Sequence, residues 1–275
     1  TRSYSMTGVQ TCALPIWDDD ELVLKNNKRL WITGDIDNFL AVENVGDTLV
    51  LNDGSIITME TDAQLNACYS GRIMDYGAIY HWSQNSFTHI FNRSSISYFD
   101  NNHLINNGAH IEIDGNAKLT LADNSTVTFD GEGTYLKLNQ NSIVQLGNNA
   151  KIEFKNGAKL IAGGSQISSV NGSLPGRGFV FENAGEGTTI TNCVFNNLSN
   201  PIYILNTTYA TSNINYEITD NIFNCNDKLN YAIESMNTNK INISSNKIFM
   251  QTGIGFGLLL RHTGNLSGEE NPSPA

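Results

Sequence analysis

The sequence predicts an all-β fold, a parallel β-solenoid with three short strands per coil. Three observations carry this expectation. First, apolar–polar–apolar triplets recur at Ile111-Glu112-Ile113, Leu119-Thr120-Leu121, Val127-Thr128-Phe129, Leu136-Lys137-Leu138, Val144-Gln145-Leu146 and Ile152-Glu153-Phe154, with spacings of 8, 8, 9, 8 and 8 residues. Second, short connectors such as "DGNAK", "ADNST" and "GNNAK" separate them, and Asn and Gly tolerate the left-handed backbone of tight turns. Third, the penultimate connector position is small at Ala117, Ser125, Ser142, Ala150 and Ala158. A helix cannot use this rhythm, because eight residues at about 100° each rotate every repeat by about 80° and no apolar stripe forms. In a strand the outer two side chains of each triplet share one face and the middle one takes the other.

Taken in order along the chain, the rhythm is loose at Leu22-Val23-Leu24 and Leu30-Trp31-Ile32 and clearer at Leu49-Val50-Leu51 and Ile57-Thr58-Met59. Residues 60–90 are aromatic and read as an irregular insertion within a short-coil region spanning 17–164. Three sides close a coil of 24 or 25 residues, so Ile111, Leu136 and Leu160 are expected to stack, as are Leu119 and Val144, and Val127 and Ile152. A lone coil leaves the faces of its inward side chains uncovered, so stability must come from the stack. Residues 165–187 read as a loop-like transition. Over 188–262 the coils lengthen, and Ile190 to Phe195, Ile218 to Phe223 and Ile243 to Ile248 share an I-x-x-N-x-I/F pattern at spacings of 28 and 25, with Cys193 at the Asn position of the first. Residues 263–275 are expected to be disordered or a truncated end. The competing architecture is a β-sandwich, whose strands would be longer and turns less uniform.

This pattern resembles the right-handed parallel β-helix repeats of the pectin-lyase-like superfamily, with coils of about 24–28 residues. The resemblance implies right-handed coiling and an Asn ladder through Asn221 and Asn246, interrupted at Cys193. Polysaccharide-cleaving hydrolases of that superfamily carry Asn-Thr-Asp, Asp-Asp, Gly-His-Gly and Arg-Ile-Lys segments. Here Asp18–Asp20 offers adjacent aspartates, ahead of the first strand and without the partner segments. Its lyases use calcium carboxylates and an arginine base, and Arg177 and Arg261 lie in no such setting. Fold alone does not assign function.

Composition narrows the remaining classes. The formal charge is −11, and without Arg2, the only charged residue among the first 16, it is −12. Nucleic-acid binding needs clustered Lys and Arg, so no nucleic-acid partner is expected. No apolar run is long enough for a membrane-spanning helix. Cys68, Cys193 and Cys225 form no metal-ligand spacing; a Cys193–Cys225 disulfide is one option and buried thiols the other. The stretch Thr7–Ile16 is identical to the translation of a common sequencing-library adapter, Met6 departing from the adapter's Val by one base. Residues 1–16 are therefore expected to be a non-native scar that takes no part in the fold, hiding any signal peptide.

No catalytic residue, metal site or cofactor is implied. Glu112 and Glu153 are expected to be solvated surface carboxylates, His103 and His110 turn or surface residues, and Asp130–Gly133 a turn rather than a calcium loop, which would need six to eight oxygens. The cluster with binding chemistry is Tyr76, Tyr80, His81, Trp82 and His89, whose rings suit sugar faces and whose imidazoles suit a metal, unless the segment simply packs on the solenoid flank. The expected function is a non-catalytic scaffold or adhesin-like region of a larger secreted or cell-surface bacterial protein. A polysaccharide lyase or glycoside hydrolase and a glycan-binding module are the alternatives, with a polysaccharide or host-cell glycan as partner.

Overall fold

Each pass of the chain crosses three faces in turn, illustrated by Ile79–Trp82 on face 1, Phe87–Ile90 on face 2 and Ser95–Tyr98 on face 3, before Asn102–Ile105 returns to face 1. The computed structural model describes residues 3–5, 14–16, 21–24, 29–33, 48–68, 70–99, 102–170, 177–206, 215–225, 231–238, 240–250 and 256–261. Face 3 is one sheet of ten strands and face 2 one of nine. Face 1 is a four-stranded and a seven-stranded sheet, which abut where Trp82 Nε1–H donates to the Leu104 carbonyl at 2.9 Å. All pairings are parallel, and no helix occurs among the described residues. The coil length read from the register is 23 residues between Phe87 and His110, 25 between Lys118 and Ile143, and 28 between Val194 and Ile222. The chain is thus an all-β parallel solenoid.

The triplets behave as strand geometry demands. Ile111, Leu136 and Leu160 are in register, as are Leu119 with Val144 and Val127 with Ile152, all fully buried. In the longer coils Ile190, Ile218 and Ile243 align, as do Phe195, Phe223 and Ile248. The core is one continuous column of such side chains.

The corners explain the Asn content. Asn116, Asn124, Asn141 and Asn149 have φ between 54° and 65°, a region open to Asn but costly to most residues. Each is followed by a fully buried small residue, Ala117, Ser125, Ser142 or Ala150, whose side chain fills the interior angle of the corner. That residue's N–H closes the turn onto the carbonyl three residues back, as in Ala117 to Asp114 at 2.9 Å and Ser142 to Asn139 at 3.0 Å. Because the Asn141 side chain is exposed, its contribution is conformational. Asn141→Ala is expected to lower stability by about 1 kcal/mol, whereas Asn141→Gly changes it by a few tenths. Urea denaturation of the two variants checks this.

Four sequence expectations need correction. Residues 60–90 are not an irregular insertion: Gln64–Cys68, Arg72–Asp75, Ile79–Trp82 and Phe87–Ile90 are regular strands of the stack. The rhythm is masked there because inward positions are held by Asp75, Tyr80, Trp82 and Thr88 instead of aliphatics. The transition 165–187 contains two strands, Gln166–Ser169 and Arg177–Glu182, with fully buried Ile167, Phe179 and Phe181. His103 is not a surface residue: it occupies an inward position and is 4 % exposed. Glu153 is not solvated either, as it is 8 % exposed and clamped between Lys151 Nζ at 2.5 Å and Lys155 Nζ at 2.8 Å.

Cys193 is a buried free thiol, which removes the Cys193–Cys225 disulfide. Within residues 1–16, Ser3–Ser5 pairs with Glu21–Leu24 and Leu14–Ile16 with Thr48–Leu51. Both strands thus join the sheets, contrary to the expectation that residues 1–16 take no part in the fold; an open sheet edge pairs with any extended segment. Asp18–Asp20 and the segment 263–275 lie outside the described residues.

Candidate functional site

Alternation and corners disperse the five sequence-predicted binding residues. Tyr76 sits at the corner after Arg72–Asp75, 39 % exposed, and stacks on Phe99 with ring centroids 4.7 Å apart. Tyr80 and Trp82 point inward and stack on each other at 5.1 Å. His81, between them, points out from face 1, and His89 lies on face 2. Tyr80 and Trp82 therefore pack the core and cannot meet an external ligand together with the other three.

Asn221 and Asn246 stand one coil apart. Asn246 Oδ1 accepts from the Asn221 backbone N–H and from its Nδ2, both at 2.9 Å, and Asn246 Nδ2 donates to the Ile218 carbonyl at 2.7 Å. Asn221 repeats the arrangement one coil earlier, donating to the Ile190 carbonyl at 2.8 Å and accepting from the Cys193 N–H at 2.9 Å. At Cys193 the thiol replaces the amide. Burial pushes its pKa up, as it does that of Cys68, so both thiols are weak nucleophiles.

The densest outward constellation is on face 2. Phe87, His110 and Tyr135 are in register, and the His110 ring stacks between the other two at 4.8 and 4.3 Å. Beside this row run His89, Glu112 and Lys137, also in register, and then Asp114 and Asn139 at the corner. His89 Nε2 lies 2.7 Å from Asp114 Oδ2, and its ring packs on Phe91 at 4.6 Å. Glu112 accepts from Tyr135 Oη and from Lys137 Nζ, each at 3.4 Å, and its Oε1 lies 4.0 Å from His110 Nε2. Asn139 Nδ2 donates to Asp114 Oδ1. Burial pushes the His110 imidazole down to about 4; Glu112 opposes this, and Lys137 and His89 add to it. His110 is thus neutral at neutral pH. Burial and then Glu112 push the Tyr135 hydroxyl up to about 12, so it remains a donor. One donor atom each from His89, Glu112 and Asp114 lie within 4.8 Å of one another, a set able to hold a metal ion.

Elsewhere the outward groups pair along a strand or tie neighbouring coils together. Burial alone would raise the Glu153 carboxyl, but hydrogen bonds and charge from Lys151 and Lys155 outweigh it and hold the group below its ordinary value. Asp123 accepts from Asn148, and Glu217 from Asn242 at 2.8 Å. Arg177 lies over the Tyr203 ring at 3.7 Å. In Asp130–Gly133, Gly131 and Gly133 have positive φ and Asp130 Oδ1 accepts from Asn156 at 2.8 Å, which is turn chemistry.

Phe87, His110, Tyr135 and Asp114 were not among the sequence-predicted site residues. Aligning "FTHI", "HIEI" and "YLKL" by their inward positions brings them into rows, and only the apparent irregularity of 60–90 obscures that alignment. Compared with family models, curated proteins and solved structures, the chain matches none.

Proposed function

We propose that this chain is a non-catalytic, adhesin-like scaffold, part of a larger secreted or cell-surface bacterial protein of the pectin-lyase-like type. The observation that carries this reading is the use of the outward polar groups. Thr128 with Glu153, Asp123 with Asn148, and Glu217 with Asn242 bind coil to coil along the stack, as a rigid rod requires. A general acid–base pair would instead need two titratable groups converging on a shared cleft. Incubation of the chain with a panel of acidic and neutral polysaccharides tests the reading. No reducing ends and no unsaturated uronate above the buffer control are expected; release of either product would replace the scaffold with a lyase or hydrolase.

A second reading, a glycan-binding surface, is favoured by one observation. Tyr76 and Phe99 form an exposed stacked pair, with Ile79 and Leu104 exposed nearby at 51 % and 47 %. Aromatic faces of this kind pack against the apolar faces of sugars. On a glycan array, Tyr76→Ala is the informative variant, because Trp82 is interior and its replacement would perturb the core. Absence of binding by the wild-type chain would remove the glycan reading, and binding that survives Tyr76→Ala and Phe99→Ala would remove this pair as its site.

A further inference from the structure

We propose that His89, Glu112 and Asp114 form a surface site for a divalent transition-metal ion of the Zn²⁺ class. Three features of the fold converge on this assignment. His89 and Glu112 are register partners on adjacent strands, so their side chains leave the sheet side by side on the same face. Asp114 follows two residues after Glu112, the spacing that returns a side chain to the same face. The resulting Nε2 and carboxylate oxygens lie within 4.8 Å of one another. Ligand bonds of about 2.0–2.2 Å to nitrogen and oxygen place tetrahedral donors roughly 3.4 Å apart, so side-chain rotation alone closes the set.

The donors are also held in place. The Asp114 backbone N–H donates to the Ile90 carbonyl at 2.8 Å, and its carbonyl closes the next turn by accepting from Ala117 at 2.9 Å. The His89 ring is fixed against Phe91, and the neighbouring His110 ring is fixed between Phe87 and Tyr135. Such packing gives a metal site its preorganisation.

The donor chemistry selects the ion. Imidazole nitrogen with carboxylate oxygen suits Zn²⁺, Cu²⁺ or Ni²⁺, whereas Ca²⁺ needs six to eight oxygens and this set offers two carboxylates. His110 Nε2 lies 4.0 Å from Glu112 Oε1, at the edge of this set. Lys137, 3.4 Å from Glu112, holds the position of a competing cation. The outward side of the site is open, so a bound ion keeps water there or accepts a donor from another molecule.

Calorimetric titration of the whole, chelator-treated chain with ZnCl₂ alone, and separately with CaCl₂ alone, tests the assignment, with far-UV circular dichroism verifying the fold of every variant. One Zn²⁺ per chain is expected, with Ca²⁺ at least tenfold weaker. His89→Ala and Asp114→Asn should each weaken Zn²⁺ binding at least tenfold, while His81→Ala, on another face, leaves it unchanged. Lys137→Met should tighten binding severalfold, because it removes the competing charge; a residue that only supports the fold has no reason to give that gain. Absence of Zn²⁺ binding by the wild-type chain, or binding undiminished in both His89→Ala and Asp114→Asn, overturns the proposal.

Discussion

Phe154→Ala is expected to destabilise the solenoid by about 3–5 kcal/mol, the range for emptying a fully packed aromatic site. Phe154 is fully buried at the middle of an inner aromatic column, stacked on Phe129 at 5.3 Å and on Phe181 at 5.0 Å, with Phe179 edge-on at 6.3 Å. Removing it breaks two ring stacks, each worth about 0.5–1.5 kcal/mol beyond area burial. The interior cannot collapse to fill the hole, because each strand is pinned in register to the coils on both sides. In a quasi-one-dimensional stack the damage falls on the coupling between neighbouring coils. Denaturant unfolding should therefore lose cooperativity as well as midpoint, the coils before and after Phe154 separating into distinct transitions. Phe154→Leu keeps most of the volume and is expected to cost under about 1.5 kcal/mol while preserving a single transition. Ile243, half-buried in the last described strand of face 2, supplies the contrast: Ile243→Ala should cost less than Phe154→Ala and leave cooperativity intact. Equal losses at the two positions would contradict the nearest-neighbour picture.

The same column shows which parts of the fold the sequence discloses. Between Ile111 and Leu160 the inward positions are Ile, Leu, Val, Phe and their equivalents, so period-2 burial and coil length coincide with hydropathy and the register can be written down residue by residue. Between Ile57 and Ile105 the geometry is the same, but the inward set includes Asp75, Tyr80, Thr88 and His103, and hydropathy no longer marks the inside. The spacing still does: Leu65, Ile73, Tyr80, Thr88, Ile96 and His103 follow one another by seven or eight residues. The face 2 patch was hidden for the same reason. His89 is visible in the sequence as an imidazole among aromatics, yet its partners Glu112 and Asp114 lie 23 and 25 residues away and join it only once coils are superposed. Tyr80 and Trp82 mislead in the opposite sense, since rings that suggest a binding surface are turned inward by alternation.

Asp75→Ala is expected to cost about 3 kcal/mol or more, although the residue looks from the sequence like a surface acid. Asp75 has no exposed surface. Its Oδ1 accepts from the Gly77 and Ala78 backbone N–H groups at 3.0 and 2.9 Å, closing a corner, and its Oδ2 lies 3.7 Å from His103 Nδ1. The His103 ring packs on Tyr98 at 4.3 Å. Burial and then the Asp75 charge hold the Tyr80 and Tyr98 hydroxyls protonated far above neutral pH. Truncation strips two turn donors of their acceptor and leaves a buried imidazole beside an empty polar site, each a costly change in a dry interior. Asp75→Asn retains an acceptor for the corner and should cost about 1 kcal/mol, so the difference between the variants isolates the turn. The remainder belongs to the pair with His103, and a double-mutant cycle of Asp75→Asn with His103→Gln is expected to give a coupling energy of about 1 kcal/mol or more. Strict additivity would mean that the two groups are neighbours without interacting. The cluster also bears on specificity. Successive coils of Leu, Ile and Val are nearly interchangeable, so a slip by one coil would bury equivalent apolar surface. It would not bring a carboxylate and an imidazole together. A buried carboxylate and imidazole that face each other at 3.7 Å in one register and are separated in every other favour that register electrostatically, as isolated polar residues do in coiled coils. Replacing both groups by Leu should accordingly leave the chain folded but broaden its hydrogen-exchange protection between Ile57 and Ile105, where the register would no longer be unique.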